Sequence, residues 1–364
     1  MIRDGHIDMR QAAVMAQILI AAKIFITLPR VMAQRSGTAG WIIILIGGVV
    51  GWIGLFFITR LSLRFPKYSL VGTSEVLLGP IWGRLVGLVF VGYFLYLTSI
   101  LLREFTETFK TAILPETPPS VLALVMLSIL MYGAYCGIEA LARASELLFP
   151  FIAASFFGAL LVWPNVHIGF LRPFLGPGML VLLKNGLFAG SIYGEILFLA
   201  MIFPFLREKG DAFRAGTIGI GVSAVILASL TALAITVFSA RGLSELPFPL
   251  LDMVRLINLG RFLQRIEALY VFIWFFTGAL KLSIAFYVTV LGTAQLLKLE
   301  DFKPLIWSYG VLVFSLSFIP RNLIESFVFD VDILRKYSPI ATFLLPAGLW
   351  LLAVILGKRG DDRV

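Results

Sequence analysis

Long apolar runs, broken by short polar connectors, occupy most of the 364-residue chain. A run of roughly 20 mostly apolar residues is enough to cross a bilayer as a helix. The pattern predicts about ten transmembrane helices, near 11–33, 40–62, 82–109, 120–140, 145–164, 186–206, 214–239, 268–296, 304–320 and 338–357. The third and eighth are longer than a bilayer requires and are expected to tilt or protrude. The predicted fold class is an all-α integral membrane protein forming a single membrane domain over residues 1–364.

Small and polar residues interrupt this pattern at a few places. Gly186, Gly190 and Gly194 recur every four residues in the sixth span, as do Gly47 and Gly51 in the second and Gly83 and Gly87 in the third. Such spacing lets helix backbones approach closely. In the connector 240–266, Leu250, Leu251, Val254 and Ile257 recur at helical spacing around Asp252 and Arg255. That predicts a short amphipathic helix at the outer surface, whose simplest role is to cover the bundle.

Ionisable groups within an apolar span are costly and usually face a partner or a cavity. Lys23 lies halfway along the first span, after Ala21 and Ala22 and too deep to reach either interface. In the sixth span, Gly190-Ser191-Ile192-Tyr193-Gly194-Glu195 combines two helix-weakening glycines with Ser191 and Tyr193, and it places Glu195 at mid-span. Transporters often build a midplane site from such interrupted helices. The alternative is an intact helix with Glu195 paired to Lys23 or Lys281. In the eighth span Thr277 and Lys281 share a face, with Ser283 nearby and Tyr287 further on. In the third span Tyr93 and Tyr96 are candidates for a pocket wall, whereas Arg103 and Glu107 read as an interfacial pair. Two lysines and one carboxylate at similar depth suit a zwitterionic ligand or a fixed internal ion network.

Composition narrows the chemistry. Hydrophobic residues make up 59% of the chain and charged ones 14%, against about 25% charged in soluble domains. Two histidines and the single Cys136 leave no His/Cys metal-ligand set and no intrachain disulfide. No G-x-x-x-x-G-K-[ST] loop occurs. Neither a cofactor nor a metal is expected, and an enzyme is not. The net charge of +9 comes from basic residues at helix ends, which favour contact with anionic lipid rather than nucleic acid. The outer side holds nearly as many basic residues as the inner, but several lie in the long loops 165–185 and 240–266, which count less, and this predicts cytoplasmic N- and C-termini. The first ten residues are polar and charged, so no cleavable signal peptide is expected.

An ordered series of short strings resembles the B subunits of endospore germinant receptors, which are members of the amino acid–polyamine–organocation superfamily. The strings are Leu28-Pro29, Ala39-Gly40-Trp41-Ile42, Arg64-Phe65-Pro66, Leu102-Arg103-Glu104-Phe105, Leu114-Pro115-Glu116-Thr117-Pro118, Gly137-Ile138-Glu139 with Ala142-Arg143, and Phe262-Leu263-Gln264-Arg265-Ile266-Glu267-Ala268-Leu269. The resemblance implies two inverted five-helix repeats, near 11–164 and 186–357, with helices one and six discontinuous around a midplane pocket. It implies a nutrient ligand, typically an amino acid, and action with an A and a C subunit in the spore inner membrane. The ligand-binding positions would then be Ala21, Ala22, Lys23, Tyr93, Tyr96, Gly190, Ser191, Tyr193, Gly194, Glu195, Thr277, Lys281 and Ser283. Ala21-Ala22-Lys23 departs from the glycine-containing break usual in the superfamily, and the Lys23 charge disfavours a sodium ion beside it. Most of the matching strings lie on loops and helix ends, so they speak for family rather than ligand. Three function classes follow: a germinant-sensing subunit, a proton-coupled amino-acid transporter, or a scaffold whose ion network is purely structural.

Overall fold

The computed structural model describes residues 4–257 and 266–360. The chain is helical almost throughout. The β-bridge between Ile7 and Leu206 is the one β pairing among the described residues. Part of the string 262–269, with Arg265, lies outside the described residues.

The first apolar run is broken. A capping box fixes its start: the Asp8 carboxylate accepts from the Gln11 backbone N–H at 2.8 Å, and the Gln11 side chain accepts from the Asp8 N–H at 3.1 Å. Helix α1 (Met9–Ala21) tightens into a 3-10 turn at Ala22–Phe25. Ile26 then leaves helical geometry at φ −105°, ψ −106°, and α2 (Leu28–Ser36) restarts the helix. Pro29 accounts for the restart. A proline suits the first turn of a helix, and its ring would clash with the Phe25 carbonyl were the helix continuous.

Helix α3 (Gly40–Arg64) turns back along this pair, followed by the short α4 (Leu70–Leu78) and the long α5 (Pro80–Ala112). Helix α6 (Pro119–Ala159) kinks at Gly137, whose φ of 83° and ψ of −179° belong to a region essentially reserved for glycine. This kink joins the expected fourth and fifth spans.

The sixth apolar run is interrupted like the first. Helix α7 (Met179–Ala189) passes into eight residues of 3-10 helix, Gly190–Leu197, before α8 (Phe198–Met201). Runs of 3-10 helix longer than three or four residues are uncommon and often mark functional sites. The Lys209 ammonium closes this end, donating to the carbonyls of Phe203, Pro204 and Leu206 at 3.1, 2.6 and 2.7 Å. Its partial burial draws its pKa below the ordinary lysine value.

Helix α9 (Asp211–Glu245) kinks at Ser239 (φ 62°), and α10 (Pro249–Arg255) follows. Leu250, Leu251, Val254 and Ile257 are all buried, so this segment covers the bundle and does not lie on a lipid surface. Helix α11 (Ile266–Leu296) packs against α6 and α5, and α12 (Leu305–Ser317) follows.

The last apolar run begins earlier than 338. It is built from α13 (Leu323–Val328), a π-helical stretch Phe329–Leu334, α14 (Arg335–Pro339), a second π stretch Ile340–Leu344 and α15 (Leu345–Ile355). The charged string Asp330, Asp332, Arg335 and Lys336 hides its first half from a hydropathy reading. Among the described residues, seven helices are long and apolar enough to cross a membrane, against the ten runs read from the sequence. The difference has local causes: the kink at Gly137 lies within one helical run, the first run is broken, and α12 has only 13 residues.

Candidate functional site

The two interruptions meet. The Lys23 ammonium, on the 3-10 turn that ends α1, lies 2.9 Å from Glu195 Oε1 and also donates to the Ile192 carbonyl. Lys281, midway along α11, lies 3.2 Å from Glu195 Oε1 and 3.1 Å from Oε2. Lys23, Glu195 and Lys281 are 5%, 1% and 4% exposed. Burying charges costs several kcal/mol per ion unless each is paired. One carboxylate between two ammonium groups meets that demand and ties the broken first run, the broken sixth run and α11 together.

Beside this triad is a second ion pair that the sequence reading did not place in the site. Arg335 holds Asp330 Oδ2 through Nε at 2.8 Å and Nη2 at 2.7 Å, both residues being buried. A small cavity of about 30 Å³ is lined by Ala22, Lys23, Thr27, Glu104, Lys281, Asp330 and Arg335 among others. That is room for roughly one or two water-sized groups. Thr27 and Val31 also line a larger vestibule of about 580 Å³ on the face remote from the N-terminus, bordered by Arg30, Gln34, Arg35, Glu245 and Asp332.

The opposite face is fastened by the N-terminal segment. Asp4 Oδ2 accepts from the Ile138 N–H at 2.9 Å, beside the kink at Gly137, and from the Tyr287 hydroxyl at 2.7 Å. The His6 N–H donates to Glu139 Oε1 at 2.9 Å, and Ile7 pairs with the segment after α8. Glu139 also bonds Arg143, four residues on, at 3.1 Å.

The remaining expected positions scatter around this centre. Ala21 and Thr277 line a smaller neighbouring cavity with Gln17 and Tyr270, to which Ala22 also contributes. The Thr277 and Ser283 hydroxyls are engaged by the carbonyls four residues earlier, Ile273 and Ala279, at 2.7 and 2.8 Å. Ser283 faces an apolar groove between α6 and α11. Tyr193 points away from the triad, donating to the Ile44 carbonyl at 3.0 Å. Gly190 and Gly194 are packing positions, against Val50 and Thr342. Ser191 is buried and its hydroxyl has no hydrogen-bond partner among the described residues. Tyr93 is buried edge-on against Phe94, and Tyr96 donates to the Phe329 carbonyl at 3.2 Å. Arg103 and Glu107 are buried within the protein: they form a 2.9 Å pair, with Arg103 also donating to the Arg321 carbonyl and stacked over Phe318. The signal for Asp330 and Arg335 was a charged string beside an apolar run. The signal for Glu104 was a carboxylate inside a string that served only to mark resemblance.

A family profile described as "Spore germination protein" matches residues 6–325. Spore germination protein YndE of Bacillus subtilis (strain 168) is 29% identical over 366 residues, covering 98% of each chain. Spore germination protein KB of the same organism is 28% identical, covering 98% of this chain and 97% of its own. Among solved structures, MhsT in complex with L-phenylalanine superposes with a TM-score of 0.71 at 17% identity, covering all of this chain and 94% of that one. Mhp1, a nucleobase-cation-symport-1 family transporter in a closed conformation with bromovinylhydantoin bound, gives 0.67 at 13% identity, covering 95% and 82%. These two likenesses establish a shared fold.

Proposed function

The chain belongs to the spore germination protein family, and from that premise we propose that it is the nutrient-sensing membrane subunit of a germination receptor, binding a small amino-acid-like ligand where the two broken helices meet. The observation that carries this reading is the fully buried Lys23–Glu195–Lys281 triad, which links both interruptions. Opposite charges on flexible stems at a helix break offer partners to the carboxylate and the ammonium of a zwitterion.

The cavity is smaller than an amino acid, so binding moves its walls. Thr27 and Val31, which stand between vestibule and cavity, are the first obstacle to entry. A ligand that is held only after the walls part shifts the protein toward that parted state. This is how occupancy becomes a signal. The same reading takes residues 11–164 and 186–357 as inverted repeats, since each half opens with an interrupted helix. It places the chain in the spore inner membrane beside an A and a C subunit, with both termini cytoplasmic.

A thermal-unfolding screen of the purified protein against the common amino acids tests it. Binding stabilises by about 2.7 kcal/mol when ligand exceeds its Kd a hundredfold, so one or a few amino acids are expected to raise Tm. A flat profile across the set sinks the proposal. Uptake of the stabilising amino acid into liposomes separates transport from sensing: the sensor leaves the internal concentration unchanged.

A further inference from the structure

Every cation lining the central cavity has a carboxylate partner, but not every carboxyl oxygen there has a donor. Lys23 and Lys281 share Glu195, and Arg335 holds Asp330. Glu104 has no ion-pair or side-chain hydrogen-bond partner among the described residues, and its Oε1 is buried. Asp330 uses only Oδ2 toward Arg335, leaving Oδ1 buried and unpartnered as well. Glu104 is 2% exposed and Asp330 3%. Both residues line the same cavity. A buried carboxylate oxygen without a donor is strongly unfavourable. Two of them on one small cavity make it a place for a compact group rich in N–H donors.

We infer that Glu104 and Asp330 form an ammonium subsite, which makes the ligand of this protein an amine-bearing molecule and Glu104 the residue that selects for the amine. This rests on the proposed ligand-binding role of the cavity. An ammonium head is close in size to the one or two water-sized groups that about 30 Å³ admits. Its three N–H donors match Glu104 Oε1 and Asp330 Oδ1 with one to spare. The Thr27 and Val31 boundary leaves the remainder of the ligand toward the vestibule. Glu104 is the better discriminator, because Asp330 already has a guanidinium partner and Glu104 has none. The two carboxylates come from different helices, α5 and the π stretch after α13, so an ammonium between them draws those helices together.

The test uses purified full-length protein and three probe sets: the common amino acids, the carboxylic acids that lack their amino groups, and the amines that lack their carboxyl groups. Thermal unfolding ranks the sets, and calorimetric titration measures the strongest binder against wild type, Glu104→Gln and Glu104→Asp. Amine-bearing probes are expected to bind and the deaminated acids to bind at least tenfold more weakly. Glu104→Gln should weaken the best amine by about 10- to 100-fold. Glu104→Asp, which keeps the charge on a shorter stem, should fall between. Deaminated acids binding as tightly as amino acids, or Glu104→Gln retaining wild-type affinity, would overturn the subsite while leaving the ligand cavity standing. Stabilisation of the wild type by sodium or potassium alone, lost in Glu104→Gln, would assign these oxygens to a metal cation and likewise overturn it. Binding of no probe in any set removes the cavity's ligand role and this inference together.

Discussion

Glu195→Gln is expected to lower stability by about 3–5 kcal/mol, the cost of leaving buried charges without their counter-ion. In the wild type Lys23 and Lys281 both lean on the one carboxylate, at 2.9 and 3.1 Å. A neutral amide leaves two ammonium groups facing each other without a counter-charge, with the amide oxygen and the Ile192 carbonyl as the acceptors near Lys23. Thermal unfolding in detergent reads the loss. The triple variant Lys23→Met, Glu195→Gln, Lys281→Met removes all three charges and is expected to recover most of the stability, since buried ion sets are often replaceable by apolar groups at little cost. It should not recover any ligand-induced rise in Tm. That contrast separates a binding site from a structural network: a triple variant that still responds to ligand excludes the triad from the site. A Glu195→Gln protein as stable as wild type would mean that the two lysines do not depend on it.

The second large effect is expected at Gly47→Val. A Cβ built on Gly47 lies 2.6 Å from the Ala189 carbonyl carbon and 2.9 Å from the Gly190 nitrogen. These are backbone atoms at the start of the 3-10 stretch, and they do not yield as a flexible side chain would. Overpacking of this kind costs about 1–3 kcal/mol and sometimes more. Because α3 supports the interruption from behind, the change should also displace Glu195 and depress ligand binding beyond the loss of stability. Gly92→Val is the control, since a Cβ there meets nothing within 4 Å. Equal stability of the two variants would show that α3 does not fix the position of the break.

Much of the bundle was legible in the sequence because lipid and protein interior both demand apolar side chains, so long spans announce themselves. Three mid-span charges on three separate runs, Lys23, Glu195 and Lys281, were legible as partners for the same reason: none had another way to be satisfied. The break in the sixth run was written in Gly190 and Gly194. The break in the first was also written, in Pro29, but at a position that reads equally well as the end of a span. What stayed hidden depends on register. Tyr193 and Glu195 are two residues apart, so on any helix they face different sides, and a string cannot say which side holds the cavity. Asp330 and Arg335 sit on a run whose π-helical turns shift the periodicity that a 3.6-residue reading assumes. Glu104 shows no side-chain partner in sequence, and its Oε1 has none among the described residues.

The depth of the triad has a consequence for the salt in which the protein works. Mobile ions weaken attractions between charges at the surface, where pairs such as Arg84 with Glu75 or Arg143 with Glu139 lie, and they reach buried pairs far less. Lys23, Glu195 and Lys281 lie beyond their reach. The surroundings can therefore swing between dilute and concentrated electrolyte while the centre of the protein keeps the same arrangement. A sensor wired in this way answers to the molecule it holds and stays indifferent to ionic strength.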